Sequence, residues 1–317
     1  MTGIGFPIRM AVAGKVEAVR RDDYKNKPGY GIPQGMVRLE SYGDNLKKDD
    51  YQCHSRFKRA INFSNGHSMV ALVERTIGPG PHHIVISGID PQKVEHLAIT
   101  ADELLLDGRR YPFASSCRYD SRIDLNGAID NERFDANLHC FEHCLRQSAV
   151  PKSLTFLLEP KRKPCWCSAL ERSITERFGE GSRMVFSPDF LPGIKMLKGL
   201  GFGLTPSGDD FIGGILLALY YGQKIFKRNF ERTIRLVHRT ARGKNPFSNT
   251  MLADASEGRA VGRIKSLLAA LIGGTEKNVH QSTMQLRVIG HSSGIDFGIG
   301  LLLTFKELIR NKGEQWW

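Results

Sequence analysis

Short apolar runs separated by Gly and Pro dominate residues 51–125, a texture that predicts strands and turns. The runs HSMVALVERTI (67–77) and HHIVISGI (82–89) flank Gly78-Pro79-Gly80-Pro81 and predict a hairpin-like pair. Glu103 to Leu106 and Arg109 to Phe113 flank Asp107-Gly108, which favours a tight reversal. After about residue 130 the apolar period lengthens to that of helices, over 132–148 and 168–178. A short apolar run, Leu154 to Leu158, and the basic tract Lys161-Arg162-Lys163 separate these two. Further helical patterns cover 209–221, 229–242, 248–270 with interruptions at Gly258 and Gly262, and 296–310. The predicted fold class is α+β: a β-rich N-terminal region with trailing helices over 1–180, then a mostly helical domain over 181–317 carrying a Gly-rich loop at a helix N-terminus.

A length of 317 residues accommodates two domains, and 41% hydrophobic with 25% charged residues excludes a mainly disordered chain, a collagen-like repeat or a simple coiled coil. The longest apolar stretch, Phe211 to Tyr221, contains two glycines and falls short of the ~20 residues that cross a bilayer. No apolar segment follows a basic amino terminus, so the expectation is a cytoplasmic protein without membrane association. The six cysteines then read as reduced thiols. Charge alters the picture more: 45 Lys plus Arg against 33 Asp plus Glu gives a net +12, which attracts anions, whether nucleic acid, an acidic protein or a small substrate.

Two stretches of the helical half resemble each other. Aligning SGDDFIGGILLAL (207–219) with SGIDFGIGLLLTF (293–305) matches Ser207 with Ser293, Gly208 with Gly294, Asp210 with Asp296, Phe211 with Phe297 and Gly214 with Gly300. Leu216 and Leu217 likewise match Leu302 and Leu303. Any amphipathic helix after a Ser-Gly turn scores against another; the sharper expectation is a pair of equivalent loop-to-helix units facing one site.

The first unit carries the most unusual segment, GLGFGLTPSGDD (199–210). Its glycines permit positive φ and close backbone approach, Thr205 and Ser207 add hydroxyls, and a helix start offers free N–H groups to phosphate or carboxylate. Two adjacent carboxylates, Asp209 and Asp210, repel an anion unless a proton, a cation or an Arg intervenes, and so point to chemistry or metal binding. Simple capping explains one of these residues rather than the whole loop. No Gly-Lys-Ser/Thr follows, so this is not a Walker A loop, and the glycine spacing is not the dinucleotide fingerprint.

The run GLGFGLTPSGDDFIGGIL, with NPFSNTMLADASEGR (245–259) and GHSSGIDFGIG (290–300), resembles the signature series of a bacterial family that includes a subunit of oxamate carbamoyltransferase, from anaerobic allantoin catabolism. HSRFKRAINF (54–63) through GPGPHHIVI (78–86) also fits; GLTPSGDD is the most specific element and the first 45 residues the least similar. The resemblance implies a multi-subunit enzyme converting oxalurate and phosphate into oxamate and carbamoyl phosphate. Its partners would be other enzyme subunits and its substrate a small anion. In that picture Gly201, Gly203, Thr205, Ser207 and Gly208 bind substrate, Asp209 or Asp210 positions a proton or a cation, and His291, Ser292, Ser293 and Asp296 complete the pocket.

Asn245, Ser248, Asn249 and Thr250 form another polar helix entry, a third wall of the site or plain capping. His291 is placed to act as acid or base, although a surface histidine is commoner. Arg228, Arg232, Arg235, Arg239 and Arg242 recur three or four residues apart and make a basic helix face, solvated or docked on an acidic partner. No nucleic-acid-binding signature accompanies it, which argues against nucleic acid. His139, Cys140, His143 and Cys144, with Cys165 and Cys167, do not have the usual zinc spacing. Trp316 and Trp317 read as a terminal tail. Two alternatives stay open: a non-catalytic scaffold using the basic face, and a hydrolase holding Mg²⁺ or Mn²⁺ through Asp209, Asp210 and Asp296. No cofactor is required by the sequence, and Mg²⁺ is the one it leaves room for.

Overall fold

The computed structural model describes residues 37–125, 129–148, 150, 152–159 and 168–311. Its strands are β1 (Arg38–Gly43), β2 (Asp49–Phe57), β3 (Ala60–Ser64), β4 (Met69–Glu74), β5 (His83–Ser87), β6 (His96–Ile99), β7 (Glu103–Leu106), β8 (Arg109–Pro112) and β9 (Arg118–Tyr119). They form one sheet in the order β8-β7-β6-β2-β3-β4-β5-β1-β9. Period-two alternation buries Leu97 and Ile99 of β6 and Leu104 and Leu106 of β7. With Tyr51, Phe63, Leu72 and Ile84 they make a core of their own. The β7–β8 reversal is the expected hairpin: Leu106 pairs with Arg109, and Asp107 and Gly108 both take positive φ, 47° and 78°, as a two-residue turn matched to strand twist requires.

The segment Gly78–Pro81 is different. β4 and β5 are parallel, with Ala71 opposite His83 and Glu74 opposite Ile86, so the expected hairpin does not form. The eight residues between these strands span about 26 Å when extended, at ~3.3 Å each, enough to run back along a six-residue strand. Turns at both ends, Ile77 N donating to Glu74 O (3.0 Å) and His83 N to Gly80 O (3.1 Å), carry the segment back to the start of β4 instead of closing a hairpin. The Ala71 N–H donates to the His82 carbonyl at 2.9 Å, which sets His82 beside the start of β4.

The helices are α1 (Asn131–Gln147), α2 (Ala169–Val185), α3 (Leu191–Leu197), α4 (Ser207–Phe226), α5 (Glu231–Ala241), α6 (Pro246–Ser256), α7 (Gly262–Gly273), α8 (Glu276–Leu286) and α9 (Ser293–Arg310). The pattern over 248–270 resolves into α6 and α7, and 154–157 is a 3₁₀ turn. Every residue of α4 from Ser207 to Leu219 is buried, as befits a helix apolar all round. It packs on α9 at a glycine crossing: a Cβ on Gly214 would fall on the Phe297 carbonyl oxygen, and one on Gly300 on the Phe211 carbonyl oxygen. Phe134, Phe141 and Leu145 of α1 and Phe178 and Val185 of α2 join this helical core, separate from that of the sheet. The trailing helices therefore pack with the helical half, and the cores part between Tyr119 and Asn131, well before residue 180. No described helix is long and apolar enough to cross a membrane. Lys161–Lys163, Cys165, Cys167, Trp316, Trp317 and most of the first 45 residues lie outside the described residues.

Sheet and helices meet along the segment from Asp254 to Arg263. Gly262 N donates to Pro79 O (2.8 Å), Ala260 N to Ser121 O (2.9 Å) and Tyr119 Oη to Ala260 O (2.9 Å). Arg259 pairs with Asp44 at 2.9 Å.

Candidate functional site

The Gly-rich loop folds because Gly199, Gly201 and Gly203 take φ of 67°, 110° and 104°, where side chains are strained. It closes on itself: Gly208 N donates to Leu200 O (2.8 Å), and Asp209 Oδ1 accepts from Gly199 N (2.7 Å). The second unit repeats the first. Gly294 N donates to Ile289 O (3.1 Å), and a Cβ on Gly208 or Gly294 would strike the carbonyl of Leu197 or Leu286. The matched Ser-Gly pairs thus answer one packing demand, backbone approach at the start of each helix.

The two units exchange side chains across the crossing. Thr205 Oγ1 and Ser293 Oγ lie 3.3 Å apart, and both hydroxyls face Asp210. Asp296 faces Ser207 and Ser292 and accepts from Leu154 N at 2.7 Å. Each carboxyl therefore meets the serine that opens the other helix. Asp210 is 4% exposed and Asp296 fully buried, and the Oδ2 of each has no partner among the described residues. Burial, then the charge of Asp296, pushes the Asp210 carboxyl well above the usual carboxylate range, against the pull of the two hydroxyls. Burial raises Asp296 to about 6, although the Leu154 N–H and two serines favour its anion. The shift favours the protonated form of Asp210, which can donate a hydrogen bond.

Asp210, Thr205 and Ser293 open on a cavity of about 420 Å³ between sheet and helices. Val70, Phe247, Met251 and Phe297 supply apolar wall; His82, Asp254, Arg259 and Arg263 supply charge and polarity. Arg259 is engaged by Asp44 and Glu257, and Arg263 donates to Thr76 O at 2.6 Å. His82 Nε2 lies 3.1 Å from Asp254 Oδ1, which also accepts from Asn45 Nδ2 at 3.0 Å.

The structure brings Thr205, Asp210 and Ser293 together on this cavity; Ser207, Ser292 and Asp296 stand behind them. Gly201, Gly203, Gly208, Asp209 and His291 do not line it. Asp209, one residue from Asp210 and so about 100° around the helix, is turned to the loop, and His291 is exposed. The Gly208 N–H, a donor in the expected anion site, is already spent on Leu200 O. Asn245 caps α6 and donates to Leu204 O (2.7 Å), Asn249 holds both backbone groups of Gly243, and Ser248 is buried with its Oγ unpartnered among the described residues. Among the described residues no group of three His, Cys, Asp or Glu could hold a metal ion, so Asp209, Asp210 and Asp296 do not converge as a metal-dependent hydrolase would need. Nor do His139, Cys140, His143 and Cys144. His139 faces Asp135, and Cys144 is buried.

His82, Asp254, Arg259 and Arg263 are the cavity residues that sequence reasoning missed. All but Arg263 sat in the quoted motifs, yet nothing local pairs a residue before β5 with one on α6.

No curated protein and no solved structure matches the chain. The family model described as oxamate carbamoyltransferase subunit AllH matches residues 197–305. That stretch holds both loop-to-helix units, Asp210, Asp254 and Asp296, and over it the chain is similar to the family its motifs indicated, that of the oxamate carbamoyltransferase subunit AllH.

Proposed function

We propose that this chain is a subunit of an oxamate carbamoyltransferase-type enzyme and that the cavity between sheet and helices takes its small carbamoyl- or carboxylate-bearing substrate. The observation that carries the reading is Asp210, a buried carboxyl with an unpartnered oxygen, on that cavity within the family-matched stretch. The raised pKa of Asp210 favours its protonated form, which does not repel an anion as a carboxylate would. When phosphate oxygen bonds to the carbamoyl carbon and the carbon–nitrogen bond breaks, the departing nitrogen needs a proton; Asp210 is the group able to give it. Thr205 and Ser293 orient the carboxyl, and burial, then the Asp296 charge, favours its protonated form. Other subunits complete the enzyme.

Thermal melts test this with carbamoyl phosphate, oxamate, oxalurate and phosphate, each with and without Mg²⁺. A ligand at 100 times its Kd stabilises the wild type by about 2.7 kcal/mol, and Asp210→Ala abolishes the shift while still melting cooperatively. An undiminished shift in Asp210→Ala contradicts the assignment.

The basic face gives this reading its docking surface. Arg232, Arg235 and Arg239 on α5 and Arg242 just past its end are all exposed, while Thr233, Ile234 and Val237 are buried. Arg232→Glu with Arg235→Glu is expected to abolish co-purification with an acidic partner subunit and to leave the small-molecule shift intact. Retained association would remove α5 from the interface.

A further inference from the structure

We propose that His82, on the sheet side of the cavity, is a specificity-determining residue that accepts a hydrogen bond at Nδ1 from a substrate amide or ureido N–H, while Asp210 engages the carbonyl of the same group. The proposal rests on the reading above and adds to it a residue outside the family-matched stretch.

Three observations carry it. His82 and Asp210 line one cavity from opposite halves of the fold, His82 from the segment returning to β5 and Asp210 from the first turn of α4. The second is tautomeric: Asp254 Oδ1 lies 3.1 Å from His82 Nε2, so the proton of a neutral His82 sits on Nε2 and donates to the carboxylate, leaving a lone pair on Nδ1. Asn45 Nδ2 donates to the same oxygen and fixes the carboxylate. Third, His82 Nδ1 is buried without a partner among the described residues, as is Asp210 Oδ2. A buried polar atom without a partner costs about 1–3 kcal/mol. Two such atoms on one cavity are complementary if one donates and the other accepts, and an amide or ureido group carries both counterparts, a carbonyl and an N–H. A carboxylate offers only acceptors, and would face a lone pair backed by the Asp254 charge.

Titration calorimetry on the full chain with oxamate and with oxalate, which replaces the amide by a carboxylate, tests the assignment. The expected wild-type result is at least tenfold tighter binding of oxamate. His82→Gln keeps a donor near the Nε2 position for Asp254 but has no acceptor at the Nδ1 position, and is expected to lose the preference. His82→Asn places its carbonyl oxygen near Nδ1 and is expected to restore part of it. An unchanged oxamate preference in His82→Gln, or a wild type that binds the two equally, overturns the proposal. If His82→Gln behaves as wild type while Asp210→Ala loses oxamate, the role of Asp210 stands and that of His82 falls. If neither variant alters binding, both fall.

Discussion

Asp296→Asn raises the stability of this chain at pH 8 and removes much of its pH dependence. The folded carboxyl titrates near 6 instead of near its ordinary 3.8, so between these values the native state holds a proton that the unfolded chain has released. Stability from this group is complete below about pH 3.8 and is lost as pH rises through 6. A shift of this size corresponds to roughly 3 kcal/mol at pH 8. Asp296 is wholly buried, so solvent screening does not reduce the figure. Asn is isosteric, and its Oδ1 can still accept from Leu154 N. The same change takes a charge away from Asp210, which then binds its proton less tightly. Urea unfolding of both proteins at pH 4.5 and pH 8 checks this: the gain should appear at pH 8 and fade at 4.5. A loss at both would make Asp296 a structural acceptor needed as a carboxylate. The physical content is that two buried carboxyls, neither fully partnered, oppose folding at neutral pH, as residues kept for chemistry commonly do.

Gly300→Ala is expected to cost about 3 kcal/mol or more, at the top of the overpacking range. The added Cβ would fall on the Phe211 carbonyl oxygen, and backbone, unlike the end of a flexible side chain, cannot swing aside. Gly214→Ala meets the Phe297 carbonyl in the same way. Either change pushes α4 and α9 apart and with them Asp210 and Ser293, so ligand response should fall along with stability. Gly179→Ala in α2 is the control: nothing lies within 4 Å of its Cβ, and Ala should stabilise by about 0.4–1 kcal/mol. Thermal melts of the three variants decide the matter; a Gly300→Ala protein as stable as Gly179→Ala would mean that the helices do not cross as closely as described.

Where a local rule governs, the sequence is legible. Asp107-Gly108 makes its turn because both residues tolerate positive φ, and the SGxDF repeat, which pairs Gly214 with Gly300, announces a close helix crossing. Where partners are distant, it is not. Gly78–Pro81 has the composition of a turn, but pairing with β1, remote in sequence, on the far side of β5 accompanies a parallel β4–β5 pair. α8 buries only Val279, Thr283 and Leu286 in eleven residues, too thin a stripe to stand out, and α3 opens with Pro and Gly. Within the site, composition marked Asp209 and Asp210 alike; helix rotation sends one to the Gly199 N–H and the other to the cavity. His82 had no local signal, because its partner Asp254 is brought to it only by the joining of sheet and helices.

The infrared difference spectrum between wild type and Asp210→Asn at pH 7 tests the central claim most directly. The account predicts a protonated-carboxyl carbonyl band belonging to Asp210, absent from the variant, that shifts when oxamate or carbamoyl phosphate is added. A wild type showing only ionised-carboxylate bands at this position, unmoved by either ligand, would contradict it.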